Sequence, residues 1–188
     1  MIMSPRLHKL ALTAHVTSSV GWLGSVAGFL VLAITGVTSQ DAEVVRAAYV
    51  AMALLAWYVI VPLSLASLLT GLVQALGTQW GLVRHYWIVF KLVINVASNI
   101  LLLVHLQVTT HLADVAAQTT LASGAYRPLR LQLVADAGYA VVALLAATTL
   151  SVYKPRGLTP YGWRKQQEQR RALQCRKQHQ PRALSPPE

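Results

Sequence analysis

Cysteine is nearly absent from this chain of 188 residues: Cys175 is the only one, which excludes a disulfide scaffold. Charge is also scarce, since Lys, Arg, Asp and Glu make up only 12% of the residues, about half the fraction of an ordinary globular protein. Acidic residues number six against sixteen basic ones. Hydrophobic residues reach 55%, which excludes a disordered chain. Together these features predict an integral membrane protein.

The positive charge is concentrated at the C-terminal end. Nine of the sixteen basic residues follow residue 153, whereas residues 1–153 carry seven basic and four acidic side chains, a net charge of +3. Such an apolar and weakly charged body is not a nucleic-acid-binding core, and we expect no nucleic-acid partner. The chain therefore divides into a transmembrane domain, 1–153, and a basic cytoplasmic tail, 154–188.

Windows without charged residues locate the spans, at 10–40, 47–83, 92–113 and 137–153. About 20 apolar residues cross a bilayer as a helix, so each window holds one span. We predict an all-α four-helix bundle with spans at about 10–34, 47–76, 86–106 and 131–153. A cleaved signal peptide is the alternative for the first span, but the apolar stretch is too long for one.

The distribution of Lys and Arg predicts the orientation. Thirteen of them belong to the N-terminus, the loop between the second and third spans, and the tail, whereas the other two loops hold Arg46, Arg127 and Arg130. Basic residues near span ends stay in the cytoplasm, so both termini are predicted to be cytoplasmic and the protein to lie in a bacterial inner membrane. The longer outer loop, 107–130, has room for an amphipathic segment with an apolar side, formed by His111, Leu112, Val115 and Leu121.

The tail has its own predicted helix, from Thr159 as N-cap and Pro160 in the first turn through Gln178. Its position after a span favours a solvated helix at the membrane surface that binds anionic inner-leaflet lipid. A docking helix for a partner is the alternative. The last residues, 183–188, are predicted to be disordered.

Polar residues within the spans are the candidates for function, because a polar side chain in lipid usually faces the bundle. The first span has His15 near Ser18, Ser19 and Trp22, beside a strip of small residues expected to allow close helix contact: Gly21, Gly24, Ser25 and Gly28. The second has a seam of Ser64, Ser67, Gly71 and Gln74, with Pro62 expected to bend the helix. Along one face of the third lie Lys91, Asn95, Ser98 and His105, and the fourth contains Asp136.

Depth separates these groups into two layers. His15 and Lys91 belong to the cytoplasmic half with His8, His85 and Gln74, whereas His105, His111 and Asp136 belong to the outer end. His15 and His105 are about 20 Å apart along the membrane normal by the helical rise, so they cannot bind one metal ion together. An inner site would use His15 with His85, His8 or another ligand, and an outer metal site would pair His105 with His111 or Asp136.

Three short motifs occur in order on successive spans: His15-x6-Trp22-Leu23-Gly24, Leu68-Leu69-Thr70-Gly71-Leu72 and Trp87-Ile88-Val89-Phe90-Lys91-Leu92-Val93. With them, residues 7–153 resemble the bacterial membrane family that includes copper-resistance protein D-type domains and the membrane protoporphyrinogen oxidase, and more closely its four-helix actinobacterial members. In the oxidase branch a first-helix histidine is associated with haem b and a third-helix lysine with activity. The resemblance therefore implies these roles for His15 and Lys91.

Four functions remain open from the sequence, and transport is the least supported of them, because four helices without an acidic–basic relay make a thin conduit unless the protein oligomerises. The first is a haem b-binding redox protein, with His15 as axial ligand, Trp22 shaping the pocket and Lys91 contacting a propionate. The second is copper handling at the outer face through His105, His111 and Asp136, which is weaker because Cu(I) prefers thiolate and thioether ligands. The third is a non-catalytic scaffold, as a homo-oligomer or a subunit of a membrane complex, whose tail holds a partner. An enzymatic reaction is not specified by these residues.

Overall fold

The computed structural model describes residues 4–77, 86–118, 126–153 and 159–178, and every regular element in these ranges is helical. The helices are α1 (Pro5–Thr38), α2 (Ala42–Leu55), a π-helical turn (Ala56–Ile60), α3 (Val61–Gly77), α4 (Tyr86–Gln118), α5 (Arg127–Tyr153) and α6 (Pro160–Gln178). The predicted all-α architecture is confirmed.

Four helical segments are long and apolar enough to cross a membrane: Arg6–Thr38, Ala42–Gly77, Tyr86–Ala117 and Arg127–Tyr153. They form a bundle in which α1 packs against α2, α3 and α5, while α4 packs against the other side of α2 and α3 and against α5. The outward-facing side chains are largely apolar, including Val20, Leu69 and Val142. Such a surface would aggregate in water but is suited to lipid, so the chain is a multi-pass membrane protein.

The second span is interrupted where proline requires it. Pro62 has no N–H to donate to the Tyr58 carbonyl, and the chain accommodates it with the π-helical turn directly before it, in which the Val61 N–H bonds to the Ala56 carbonyl. The Trp57 indole, which lies in this turn, donates to Thr110 Oγ1 on α4 at 3.2 Å. The predicted effect of Pro62 therefore takes the form of a π-helical turn that separates α2 from α3.

The transmembrane helices extend beyond the predicted spans. α1 begins five residues before position 10 and ends four after position 34, α2 begins five before 47, and α5 begins four before 131. Capping explains where α1 and α2 begin. At the start of α1 the Ser4 side chain accepts a hydrogen bond from Leu7 N, and at the start of α2 Asp41 Oδ1 accepts one from Glu43 N at 2.8 Å. Charge-free windows mark where lipid begins, whereas caps mark where a helix begins.

The outer loop from Gln107 to Arg130 was the largest error in the predicted boundaries. Residues 107–118 continue α4 for three further turns instead of forming a separate amphipathic segment on the membrane face. The apolar side chains of this extension pack into the bundle, where Leu112 is fully buried and Ala113 and Ala116 nearly so. Leu121 lies outside the described residues.

Three helices meet at a polar cluster near the outer end of the bundle. The Arg130 guanidinium donates from Nε to Tyr49 Oη at 3.1 Å and from Nη2 to the Gly36 carbonyl, and it lies 5.9 Å from the Tyr49 ring centroid. A Cβ on Gly36 would lie 2.9 Å from Cε2, Cζ and Oη of Tyr49, so any other residue would force the tyrosine or α1 to shift. Arg130 was assigned to a loop by the charge count, but it belongs to α5 and ties α1, α2 and α5 together.

The tail helix agrees with its prediction. α6 spans Pro160–Gln178, and Thr159 Oγ1 accepts from Gly162 N at 3.1 Å as an N-cap does. Almost all of its described side chains are exposed, among them Trp163 and Leu173. The predicted disorder of 183–188 falls outside the described residues.

Candidate functional site

His15 lies in the groove between α1 and α3. Its Nδ1 is 3.1 Å from the Ser67 carbonyl oxygen and 3.1 Å from Thr70 Oγ1. The Thr70 hydroxyl donates its own proton to the Ala66 carbonyl at 2.6 Å, so both neighbours of Nδ1 act as acceptors. Nδ1 therefore carries the ring proton, and Nε2 presents a lone pair.

The glycine of α3 makes room for this ring. A Cβ on Gly71 would lie 3.0 Å from His15 Cε1, which is closer than side chains pack, so the imidazole lies against bare backbone. Ser19 and Ser67 join the same two helices through a hydroxyl–hydroxyl hydrogen bond of 2.8 Å, and Gln74 Nε2 donates to the Ala11 carbonyl at 2.9 Å. The predicted seam of the second span thus faces α1 and holds the histidine.

The first span agrees only in part with its predicted contacts. The Ser18 hydroxyl, near His15 in the sequence, donates to the Ala14 and His15 carbonyls of its own helix and not to the imidazole. The strip of small residues allows close helix contact at Gly21, where an added Cβ would meet Leu63. At Gly24 an added Cβ would meet nothing within 4 Å, so this residue makes no close contact. The closest helix contacts lie at Gly36 and Gly71.

Lys91 is held inside the bundle near the His15 end. Its ammonium donates to Ser151 Oγ on α5 and lies 5.8 Å from the ring centroid of Trp87. It is also close enough to His15 for the two groups to interact electrostatically. The structure therefore places Lys91 in the same half of the bundle as His15. His8 and His85 were also expected in this layer, and His85 lies outside the described residues.

A second group of polar residues lines a cavity between all four spans, which we call the central cavity. The cavity volume open to water-sized molecules is about 70 Å³, and the empty space reaches about 560 Å³ only when the adjoining open solvent is included. The lining is mainly apolar, and its polar members are Ser98, His105, Thr109 and Asp136. Trp22, expected beside a His15 cofactor, is buried and lines this cavity.

His105 and Asp136 meet in the wall of the central cavity. His105 Nδ1 lies 2.9 Å from the Leu101 carbonyl and donates to it, while Nε2 is 3.3 Å from Asp136 Oδ2. The distance is within ion-pair range, but the two groups are not aligned for a hydrogen bond, and Oδ2 is buried without a hydrogen-bond partner among the described residues. The structure thus joins two of the three residues expected in the outer layer.

The third, His111, is separate from that pair. It is exposed on the extension of α4, and its ring centroid is 6.4 Å from that of Tyr126. Within the described ranges, no cluster of three or more His, Cys, Asp or Glu side chains is arranged to hold a metal ion. The outer metal site proposed from the sequence is therefore represented by two potential ligands, His105 and Asp136.

The two asparagines of the third span bond to each other. Asn99 Nδ2 donates to the backbone and side-chain oxygens of Asn95, at 2.9 and 3.2 Å, within α4. Sequence reasoning missed the Ser67 carbonyl and Thr70 as partners of His15. The Thr70-Gly71 pair was the available signal, since it places a small hydroxyl and an open backbone on one face of α3.

Comparison with protein-family models, with curated proteins and with solved structures finds no match to this chain.

Proposed function

We propose that this chain is a membrane protein of the bacterial cytoplasmic membrane that binds haem b, with His15 as an axial ligand. The observation that supports the proposal most strongly is the orientation of the His15 ring, whose Nδ1–H donates to the Ser67 carbonyl. A histidine that ligates a metal through one nitrogen usually donates the other N–H to a carbonyl or carboxylate, which fixes the tautomer and the ring plane. Nε2 of His15 is the nitrogen left for iron.

The surroundings of His15 suit the rest of a haem group. Lys91 supplies a cation in the same half of the bundle, and a cation favours a propionate carboxylate. His85 is the proposed second axial ligand. Trp22, expected beside the haem, lines the central cavity and does not support the proposal. Bound haem b would supply one-electron redox chemistry. The resemblance of the first-span motif to the haem-binding branch of the copper-resistance protein D-type family supports the same assignment.

Absorption spectroscopy of the purified full chain, reconstituted with haemin in detergent, tests the proposal. The wild type is expected to show a Soret band with reducible iron, and His15→Ala to lose or strongly shift it while the protein still elutes as a folded species. His105→Ala, which alters the opposite layer, should leave the spectrum unchanged. Loss of the band in His105→Ala but not in His15→Ala would move the site to the outer face and refute the assignment.

Gly71 offers a test that leaves every ligand in place. Gly71→Ala would bring a methyl group within 3.0 Å of His15 Cε1 and displace the ring, so the haem affinity should fall and the Soret band should shift. The matched control is Gly24→Ala, whose added methyl group meets nothing within 4 Å. Equal haem affinity in the two variants would contradict a ligand role for His15 in this orientation.

A scaffold is the second candidate, and one observation favours it: α6 leaves a basic, almost fully exposed surface, which includes Arg164, Lys165, Arg170 and Arg171. In this alternative the helix binds anionic inner-leaflet lipid or a partner, and the bundle acts as a membrane anchor or as a subunit of a homo-oligomer or complex. A purified chain that remains colourless after haemin addition and binds anionic lipid would favour it. Copper handling is less favoured, because His111 lies apart from His105 and Asp136.

A further inference from the structure

The central cavity combines an apolar wall with polar atoms that have no partner of their own. Side chains from all four spans line it, among them Trp22, Phe29, Ile60 and Leu133. Sites for small molecules in proteins are mostly apolar, with a few polar groups that orient the ligand. The composition of this wall matches that description.

Ser98 is the first of the unpartnered groups. Its side chain is 95% buried and lines the cavity, yet its hydroxyl has no hydrogen-bond partner among the described residues. Other hydroxyls on the same helix donate to a carbonyl four residues earlier, as Thr109 does to His105 at 3.2 Å and Thr110 does to Leu106 at 3.0 Å. Buried polar groups are rarely left unpaired, so Ser98 is suited to bond an occupant of the cavity.

The His105–Asp136 pair supplies the second unpartnered polar group in the cavity. With Nδ1–H directed at the Leu101 carbonyl, Nε2 faces a carboxylate oxygen, Oδ2, that is itself without a hydrogen-bond partner in the described part of the chain. A carboxyl oxygen can accept more than one hydrogen bond, and none reaches Asp136 Oδ2 from the described residues, so this buried atom is suited to accept one from an occupant of the cavity. A ligand hydroxyl can donate that hydrogen bond, whereas an ether or a hydrocarbon cannot.

The two groups are well separated. Ser98 and His105 are seven residues apart on α4, so their backbone positions differ by about 10 Å along the helix. One hydroxyl cannot reach both, but two hydrogen bonds and the width of one ring span about that distance. The ligand therefore needs oxygen atoms at opposite ends of a flat apolar ring.

We infer that the central cavity binds the head group of a lipid-soluble hydroquinone, with one hydroxyl donating to the His105–Asp136 pair and the other bonded to Ser98. The apolar ring packs between Trp22 and the aliphatic wall. This inference is independent of haem binding, because His15 does not line the cavity.

Equilibrium binding of tert-butylhydroquinone to the full chain in nanodiscs tests this inference, with empty nanodiscs giving the background from partition into lipid. The probe is compared with its 1,4-dimethyl ether, which keeps the ring and both oxygens but cannot donate. We expect the hydroquinone to bind about tenfold more tightly than the ether, since the ether cannot donate to Asp136 Oδ2 and leaves that buried oxygen unpaired, although its oxygen can still accept from Ser98. Equal affinity of the two compounds, or no binding above the empty nanodiscs, would overturn the proposal.

Single substitutions then place the site. Ser98→Ala removes only an unpaired hydroxyl, so it should fold normally and weaken hydroquinone binding by about three- to tenfold. Asp136→Leu should weaken binding by a similar factor, because it removes the acceptor. The matched control is Ser25→Ala, whose hydroxyl donates to the Gly21 carbonyl at 2.8 Å and does not line the cavity. Binding that is unchanged in Ser98→Ala, or lost equally in Ser25→Ala, would refute the assignment.

Discussion

Gly36→Ala is expected to destabilise the bundle at its outer end. The added Cβ would lie 2.9 Å from Cε2, Cζ and Oη of Tyr49. That ring cannot move away easily, because it is fully buried and its hydroxyl accepts a hydrogen bond from Arg130 at 3.1 Å. The Gly36 carbonyl also accepts from Arg130, so a shift of α1 would disturb the same contact. Steric overlap at this position therefore opposes packing of three helices.

The size of the effect follows from two opposing contributions. Overpacking a tight core site typically costs about 1–3 kcal/mol. Replacing glycine by alanine within a helix returns roughly 0.5–1 kcal/mol, because alanine loses less backbone entropy. We therefore expect a net loss of about 0–2.5 kcal/mol, centred near 1 kcal/mol, in the free energy of unfolding for Gly36→Ala. Gly24→Ala meets no atom within 4 Å, so it should be neutral or slightly stabilising.

Reversible unfolding of the full chain in mixed detergent micelles measures both variants under the same conditions. A second variant, Tyr49→Phe, removes one of the three crowded atoms, so Gly36→Ala should destabilise less in that background than in the wild type. Gly36→Ala and Gly24→Ala with the same stability would show that Tyr49 has room to move, and would refute the reasoning.

Three further predictions concern orientation, lipid binding and the α1–α3 seam. A reporter fused after Glu188 should be active only if it is of the cytoplasmic type, and periplasmic activity would contradict the proposed orientation. A spin label on the exposed Cys175 should lose mobility in anionic but not in zwitterionic nanodiscs, and added salt should restore the mobility. The reason is that each basic residue near an anionic surface contributes about 1 kcal/mol to binding. Equal mobility in both lipids would argue against lipid binding by α6. Gln74→Leu removes the 2.9 Å hydrogen bond to the Ala11 carbonyl, and unfolding in detergent should show a loss of about 0.6 kcal/mol, with no loss if water replaces the bond.

Local sequence was sufficient for the parts of the fold that depend on composition and on short-range hydrogen bonding. Four charge-free windows correspond to four apolar helices, because burying backbone polar groups in lipid requires a helix whatever the neighbours are. The start of α6 follows from Thr159 and Pro160, since a side-chain cap acts within three residues. Pro62 likewise marks the interruption of the second span, because its missing N–H is a property of the residue itself.

The length of α4 could not be predicted from composition or from short-range hydrogen bonding. Residues 107–118 contain His111 and Asp114 and look like part of a polar loop, yet they continue the helix because Leu112 and its apolar neighbours pack into the bundle. Likewise Arg130 counts as a loop charge in the sequence, and only the positions of Tyr49 and Gly36 make it a contact inside the bundle. Burial depends on what lies opposite a residue, which a single sequence does not contain.

The same distinction applies to the candidate sites: the sequence predicts some of their features, and only the tertiary structure sets the others. The sequence alone determined which polar residues lie within the spans and at what depth, because the helical rise is constant: His15 and Lys91 lie toward one end and His105 and Asp136 toward the other. Only the tertiary structure decided their partners, since the rotation of each helix about its axis is set by packing against its neighbours. That rotation directs Nδ1 of His15 at the Ser67 carbonyl instead of at Ser18, and places Asp136 3.3 Å from His105 while His111 faces Tyr126.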